Sequence, residues 1–191
     1  MSKPLIPLVT AILFVAVIVL VLLEQISSNK PNLPTSNSVS SIDCPTSIKP
    51  ETVSGDSLTP FINNGTEVTA IYGYYACHEV TRGDVILYDY SGDKNPLIKI
   101  VYGIPGDSFS VREINGGWNI VINGGVLKNK ENTPYLIDNS GTRMINLYVD
   151  SYKGVIPPDS YLILGDNPNG SLDSTAFGLI AKSNILAKAT Y

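Results

Sequence analysis

The chain has 191 residues, a formal charge of −4 and a pI near 4.9. This acidic balance argues against a nucleic-acid partner, because a protein that binds the phosphate backbone needs a basic face to displace counterions. With 16 glycines, 13 prolines and 11 tyrosines against 2 methionines, the composition indicates a turn-rich β protein rather than a helical bundle.

The first element in chain order is an apolar run over residues 5–23, which contains no charged side chain. At ~1.5 Å per residue, a helix of this length rises about 28 Å and would span the bilayer core. A removable signal peptide usually has a shorter apolar region and ends at a small-x-small site, whereas Glu24 follows here. The sequence therefore predicts a transmembrane anchor within residues 1–23. Because Lys3 precedes the run, the N-terminus is expected in the cytoplasm and the rest of the chain outside the plasma membrane.

Residues 24–50 are rich in Ser, Pro and Asn and have few apolar side chains, so they predict a flexible or extended linker. A domain over residues 51–191 follows. Cys44 and Cys77 would then lie in an oxidising compartment, where a disulfide and two free thiols are both open possibilities. Residues 77–79 (CHE) are not expected to bind a metal, because three consecutive side chains rarely converge on one ion. No cofactor is expected.

The domain shows short β-type runs separated by turn residues, and no sustained helical period. It is therefore expected to be all-β, with antiparallel strands and at most one short helical turn. Asn123 and Gly124 predict a two-residue hairpin turn, because both tolerate positive φ. The predicted strands cover residues 67–75, 84–90, 97–104, 108–114, 118–122, 144–149, 161–164 and 185–190.

A Ser-His-Asp hydrolase needs a histidine base, and the single histidine, His78, lies in a polar stretch that predicts a loop. Lysine is the alternative base, provided that an apolar setting lowers its pKa. Lys99 fits this requirement, because it lies in the middle of the apolar run at residues 97–101 (LIKIV). An edge-strand lysine that blocks aggregation would give the same pattern.

Two further segments are candidates for chemistry. Residues 54–60 (SGDSLTP) form a glycine-containing turn that can expose the hydroxyl of Ser57 and aim backbone N–H groups at an oxyanion. Residues 165–174 (GDNPNGSLDS) are dense in short polar side chains. Each alone is also typical of an ordinary solvated loop.

Together and in this order, the three segments resemble the motifs of type I signal peptidases. Residues 55–60 (GDSLTP) are similar to the nucleophile motif, with Leu58 where methionine is usual. Residues 99–107 (KIVYGIPGD) resemble the general-base motif, and residues 165–178 (GDNPNGSLDSTAFG) the C-terminal motif. Residues 134–136 (PYL) are similar to part of the family's hairpin. The resemblance implies the antiparallel β catalytic domain of that family behind one transmembrane helix.

The resemblance also implies roles for individual residues. Ser57 would be the nucleophile, Lys99 the general base, and Ser171 a hydrogen-bonding partner that orients the lysine amine. Asp166 and Asp173 would be structural supports near the site. The side chains expected to shape the shallow apolar substrate pockets are Val53, Leu58 and Ile98.

The chain departs from the family pattern at three positions where arginine is usual: Ile100, Pro168 and Thr175. Those arginines typically pair with the acidic residues of the C-terminal motif. Because an unpaired buried carboxylate is unfavourable, Asp166 and Asp173 are expected to be either more exposed or hydrogen-bonded in another way.

The implied function is a membrane-bound serine endopeptidase that cleaves signal peptides from exported preproteins after small-x-small sites. Its partners would be preprotein signal peptides, the lipid bilayer and the export machinery. Two alternatives stay open: a peptidase specialised for pilus or conjugation proteins, or an inactive relative of the same fold. A membrane-tethered β binding module without catalysis is a second, different class.

Overall fold

The computed structural model describes residues 44–90, 95–167 and 170–191. The anchor and most of the linker predicted from the sequence lie outside the described residues. Within these three ranges, no helix is long and apolar enough to cross a membrane.

Strands dominate the described chain, as the composition predicts. In chain order they are β1 (Ser47–Thr52), β2 (Glu67–Tyr72), β3 (Val85–Tyr88), β4 (Leu97–Gly103), β5 (Phe109–Ile114), β6 (Gly117–Ile122), β7 (Gly125–Val126), β8 (Leu136–Ile137), β9 (Ser160–Leu164), β10 (Ile180–Ala181) and β11 (Ile185–Thr190).

The strands form two antiparallel sheets. The larger sheet has the order β1-β2-β11-β3-β4-β9-β10, and the smaller one contains β5, β6 and β7, with β8 paired to β6. Asn123 and Gly124 connect β6 to β7 with φ values of 50° and 80°, which confirms the predicted hairpin turn. The prediction of a mostly β, antiparallel domain is confirmed.

Helices account for the main error in the predicted fold. The chain forms α1 (Asn139–Ser151), the short α2 (Ser174–Phe177) and 3-10 turns at Tyr74–Ala76 and Lys182–Asn184. The strand predicted over residues 144–149 is wrong, because these residues lie inside α1.

Local capping and spacing explain α1. Asp138 caps its N-terminus by accepting a hydrogen bond of 2.8 Å from the Gly141 N–H. Ile145 is fully buried, and Tyr148 and Val149 pack against the same core at helical spacing. The apolar stripe is short and begins with glycine and threonine, so its period is weak in the sequence.

The core lies on both faces of the larger sheet. One cluster lies between this sheet, the smaller sheet and α1, and contains Ile98 and Ile100 of β4. A second cluster covers the opposite face and contains Val101 of the same strand. β4 is therefore buried on both faces, which places Lys99 in an apolar setting.

The N-terminal edge of the domain begins earlier than the sequence predicts. β1 starts at Ser47 and pairs with β2 over its whole length, so the last residues of the predicted linker are part of the sheet. Cys44 and Cys77 form a disulfide with a Cα–Cα distance of 5.9 Å. Of the two possibilities left open by the sequence, the structure contains the bridge, which ties the start of β1 to the loop after β2.

Candidate active site

Ser57 lies in the loop that connects β1 to β2. The next residue, Leu58, is fully buried and anchors the loop in the core. Backbone hydrogen bonds close the turn, since the Thr59 N–H donates to the Asp56 carbonyl at 3.1 Å and the Ile62 N–H to the Leu58 carbonyl at 2.9 Å. The half-buried Ser57 is thus held on a fixed turn next to the core.

Lys99 lies in β4 with only 2% of its surface exposed. Its Nζ is 3.0 Å from the Ser57 Oγ and donates a hydrogen bond of 2.8 Å to the Ile98 carbonyl. Within the described chain it makes no ion pair, because the salt bridges there involve other lysines and Arg82. The amine and the hydroxyl are therefore in direct hydrogen-bonding contact.

Burial governs the protonation of this amine. Desolvation lowers the pKa of Lys99 from 10.5 to about 8, and the nearby Asp173 carboxylate acts in the opposite direction. A substantial fraction of the amine is therefore neutral in mildly alkaline solution. A neutral amine can donate one hydrogen to the Ile98 carbonyl and still offer its lone pair to the Ser57 hydroxyl.

The C-terminal segment holds the Ser57 backbone. The carbonyl of Ser57 accepts hydrogen bonds from the N–H groups of Asp166, at 2.7 Å, and Asn167, at 3.1 Å. The three segments singled out in the sequence therefore meet at one place, although they are more than 40 residues apart in the chain.

Asp173 and Asp166 are both buried, so the expectation of greater exposure is wrong. Asp173 accepts hydrogen bonds from the Gly165 N–H at 3.0 Å and from the N–H and hydroxyl of Thr175 at 2.9 and 2.8 Å. Asp166 Oδ1 accepts one from the Lys130 N–H at 2.9 Å. The other expectation, that these acids are hydrogen-bonded in another way, describes the structure.

Asp107 is a structural support that sequence reasoning left without a role. Its carboxylate accepts hydrogen bonds from the Ile104 N–H and the Asn123 amide, both at 2.8 Å, and pairs with Arg82 at 2.6 Å. Burial alone would raise the pKa of Asp107, but these hydrogen bonds and the Arg82 charge outweigh it and lower the pKa. This carboxylate joins the end of β4 to the β6–β7 turn and so fixes the strand that carries Lys99.

Two predicted site residues differ from expectation. Ser171 Oγ is buried and has no hydrogen-bond partner among the described residues, so the expected contact with the lysine amine is absent. Its Oγ lies beside Gly165, where an added Cβ would come within 2.6 Å of it. Among the described residues, Leu58 is not part of the lining of the pocket beside Ser57 and Lys99, because its side chain is fully buried in the core.

A pocket of about 240 Å³ opens next to Ser57 and Lys99. Val53 and Ile98, which the sequence analysis assigns to the substrate pockets, are among the residues that line it. Most of its lining comes from the end of β1 with the residues that follow it and from the start of β4 with the residues that precede it. His78 lies elsewhere and is exposed, as expected. No group of side chains in the described residues could hold a metal ion.

Comparison with known proteins identifies the family. The family model for signal peptidase, peptidase S26, matches residues 41–191. The chain therefore belongs to the signal peptidase family, and the predicted resemblance is confirmed.

Similar curated proteins include signal peptidase IB of Staphylococcus aureus (strain COL), which is 27% identical over 155 residues covering 75% of this chain and 76% of that protein. Signal peptidase I S of Bacillus subtilis (strain 168) is 28% identical over 147 residues, covering 74% of each chain. A crystal structure of a signal peptidase I from Enterococcus faecalis V583 aligns with a TM-score of 0.42 and 20% identity, over 59% of this chain and 98% of that one. A likeness of that size is too slight to carry an argument.

The buried amine predicts an unusual mutational effect. Lys99→Met should raise the free energy of unfolding at pH 7 by about 1–3 kcal/mol, because a pKa lowered to about 8 means that protonated Lys99 destabilises the folded state. Between pH 8 and 10.5 the unfolded chain binds more protons than the folded one, so the stability of the wild type rises with pH. The stability difference between Lys99→Met and wild type therefore shrinks over this range. Chemical denaturation of the full-length protein at several pH values measures this.

The matched control is Lys188→Met, which removes a lysine that bonds to Asp84 at 2.8 Å and should therefore lower stability. A Lys99→Met variant that is less stable than wild type at pH 7 would contradict the account.

The close approach at Gly165 gives a second prediction. A Cβ at this position would collide with the Ser57 carbonyl oxygen and would lie 2.6 Å from Ser171 Oγ. Gly165→Ala should therefore lower the free energy of unfolding by about 1–3 kcal/mol, as measured by thermal or chemical denaturation. Gly170→Ala is the control, because a Cβ there meets nothing within 4 Å. Equal stability of the two variants would refute the proposed contact.

Proposed function

We propose that the protein is a membrane-anchored serine endopeptidase that removes signal peptides from exported preproteins, with Ser57 as nucleophile and Lys99 as general base. The observation that carries the proposal is the contact of 3.0 Å between the Ser57 hydroxyl and a buried amine whose pKa is lowered to about 8. A nucleophile within hydrogen-bonding distance of a base that can be neutral is what acyl transfer by a serine requires.

The reaction would follow from this geometry. Neutral Lys99 takes the proton of the Ser57 hydroxyl as Oγ attacks the scissile carbonyl carbon. The resulting ammonium gives that proton to the leaving amine, and the released peptide departs. Lys99, neutral again, then takes a proton from a water molecule that attacks the acyl-enzyme, and it returns this proton to Ser57 Oγ as the ester bond breaks.

The orienting role in this mechanism goes to the Ile98 carbonyl. Its hydrogen bond of 2.8 Å from the amine fixes Nζ, so that the lone pair of neutral Lys99 faces the Ser57 hydroxyl. The motif resemblance in the sequence implies this role for Ser171, whose Oγ has no hydrogen-bond partner in the described chain. Asp166 and Asp173 act as supports of the loop rather than as partners of the reacting groups.

The Ser57 N–H is the proposed donor to the oxyanion of the tetrahedral intermediate. Two N–H groups hold the carbonyl of the same residue, so the backbone around Ser57 is restrained before substrate binds. The position two residues before the nucleophile is Gly55, so a side-chain hydroxyl donor at that point is lacking.

The substrate is proposed to bind as an added strand along β4. Pairing between β4 and β9 begins only at Ile100, so in the described part of the chain residues 97–99 have no strand partner on that side. The pocket beside them is lined by Val53 and Ile98, whose apolar side chains suit small residues before the scissile bond. Small-x-small sites in preproteins have this character.

The membrane arrangement is part of the proposal. The apolar residues 5–23 would anchor the chain in the plasma membrane, with residues 24–50 as the linker and the catalytic domain on the outer side. The Cys44–Cys77 bridge is consistent with an oxidising compartment. An anchor of this kind would hold the site close to the cleavage region of a membrane-inserted signal peptide.

Cleavage of a model preprotein with an Ala-x-Ala site, by the full-length protein in detergent, tests the proposal. Ser57→Ala and Lys99→Ala should each lower kcat/KM at least about 10³-fold, because each removes one half of the nucleophile–base pair. The matched controls are the exposed residues Ser183 and Lys128, whose change to alanine should leave cleavage unaltered. A folded wild-type protein that cuts none of several such substrates would instead favour an inactive or specialised relative.

The pH profile gives an independent prediction. Because only neutral Lys99 can accept the Ser57 proton, kcat/KM should rise tenfold per pH unit in the acidic range and level off above a pKa of about 8. Initial rates measured from pH 5 to pH 10 locate this rise, the acidic limb of the pH profile, and its midpoint. A midpoint below pH 7 would show that a group other than Lys99 acts as base.

A further inference from the structure

We propose that Tyr102 and Tyr135 form a positioning pair that holds the nucleophile in place through the residues that contact its carbonyl. This inference rests on the proposed function and adds two residues to it. Neither tyrosine touches the reacting atoms, so the pair acts through the segment formed by Gly165, Asp166 and Asn167.

The two phenols are buried and in contact with each other. Tyr102 is 8% and Tyr135 3% exposed, and their oxygens lie 3.1 Å apart. The rings meet edge to face, with centroids 5.5 Å apart and an interplanar angle of 73°. The hydroxyls therefore have fixed positions in the core.

Both hydroxyls contact the segment that follows β9. Tyr135 donates a hydrogen bond to the carbonyl of Gly165. Tyr102 donates a longer one, of 3.4 Å, to Asp166 Oδ1, which also accepts the Lys130 N–H. The short Tyr135 contact is thus the principal attachment, and the Tyr102 contact is the weaker one.

The side of this segment that faces away from the tyrosines contacts the proposed nucleophile, Ser57. The peptide unit whose carbonyl accepts the Tyr135 hydroxyl is the one whose N–H, that of Asp166, donates to the Ser57 carbonyl at 2.7 Å. A peptide unit is planar, so its carbonyl and N–H cannot tilt independently. A shift of the Gly165 carbonyl would therefore move the donor that restrains Ser57.

The strand geometry places Tyr102 at this point. The register between β4 and β9 shifts between Val101 and Gly103, which leaves Tyr102 as the extra residue of an irregularity in the ladder. Such irregularities redirect a side chain. Arg82 holds the backbone there, because it donates to the Tyr102 carbonyl and pairs with Asp107.

The carboxylates that pair with arginines in the family pattern accept hydrogen bonds from neutral donors in this chain. Ile100 and Thr175 stand where arginine is usual, yet Asp166 and Asp173 remain buried and accept hydrogen bonds from hydroxyl and N–H groups. Burial raises the pKa of Tyr102 to about 12, and burial likewise raises the pKa of Tyr135. Both phenols therefore keep their hydrogens, and so stay donors, throughout the working pH range.

Phenylalanine substitutions test the pair, because they remove each hydroxyl and keep each ring. In the full-length protein, Tyr135→Phe should lower kcat on the model preprotein about tenfold, with KM within twofold of wild type and an unchanged acidic limb of the pH profile. Tyr102→Phe should have a smaller effect in the same direction, since its hydrogen bond is longer.

The matched control is Tyr75→Phe. Tyr75 is also buried and donates to a buried carboxylate, that of Asp84, at 3.0 Å, but it lies in the cluster on the opposite face of the larger sheet. It should lose stability without losing kcat. The kcat values of the three variants are compared per folded molecule. If Tyr135→Phe and Tyr102→Phe have the same kcat as Tyr75→Phe, the two tyrosines are structural only and the inference is wrong.

A second readout separates this inference from the proposed function. The rate at which a fluorophosphonate phosphonylates Ser57 with loss of fluoride, followed by mass spectrometry, needs no preprotein. It should also fall about tenfold in Tyr135→Phe and stay unchanged in Tyr75→Phe. A wild-type protein that is phosphonylated at Ser57 but cuts no preprotein would overturn the proposed function alone. Equal rates of phosphonylation in Tyr135→Phe and wild type would overturn the inference alone.

Discussion

The burial of one amine, that of Lys99, is the constraint on which the rest of the site depends. A lysine in water is protonated and cannot act as a base, and removal from water is what lowers its pKa to about 8. Burying an amine costs free energy, so the packing of the surrounding fold has to offset that cost. β4 does so because it lies in the middle of a seven-stranded sheet whose two faces are both covered by apolar side chains. Burial in this sheet is therefore what lowers the pKa of the amine, as the proposed base role requires.

Once the amine is fixed in the sheet, the proposed nucleophile, Ser57, has to be held next to it. Ser57 lies on a loop, which by itself would give loose geometry. The loop is restrained by the buried Leu58 on one side and by the two N–H groups that hold the Ser57 carbonyl on the other. Those N–H groups belong to a segment that is itself fixed by Asp173 and by the Tyr135 hydroxyl. The position of Ser57 relative to Lys99 is thus fixed by residues that have no part in the proposed reaction.

Much of this could be predicted from the sequence, for reasons that differ between elements. Lys99 could be found because a charged residue in an apolar strand is conspicuous, and Ser57 because its motif has a recognisable order relative to that lysine. Helix α1 was missed because its buried stripe includes small and polar residues, so a run rich in Ile, Leu, Tyr and Val resembled a strand. The roles proposed for Tyr135 and for the Ile98 carbonyl could not be predicted, because they depend on contacts between distant segments and on a backbone atom that every residue possesses.

The most direct test of the central claim is to titrate the lysine itself. NMR spectra of full-length protein labelled at the lysine ε-carbons, with Lys99→Met for assignment, would follow each amine as the pH is raised. The account predicts that one resonance, absent from Lys99→Met, titrates with a pKa of about 8, well below the ordinary 10.5. A Lys99 resonance that titrates near 10.5 would contradict it, because an amine that stays protonated could not take the proton from Ser57.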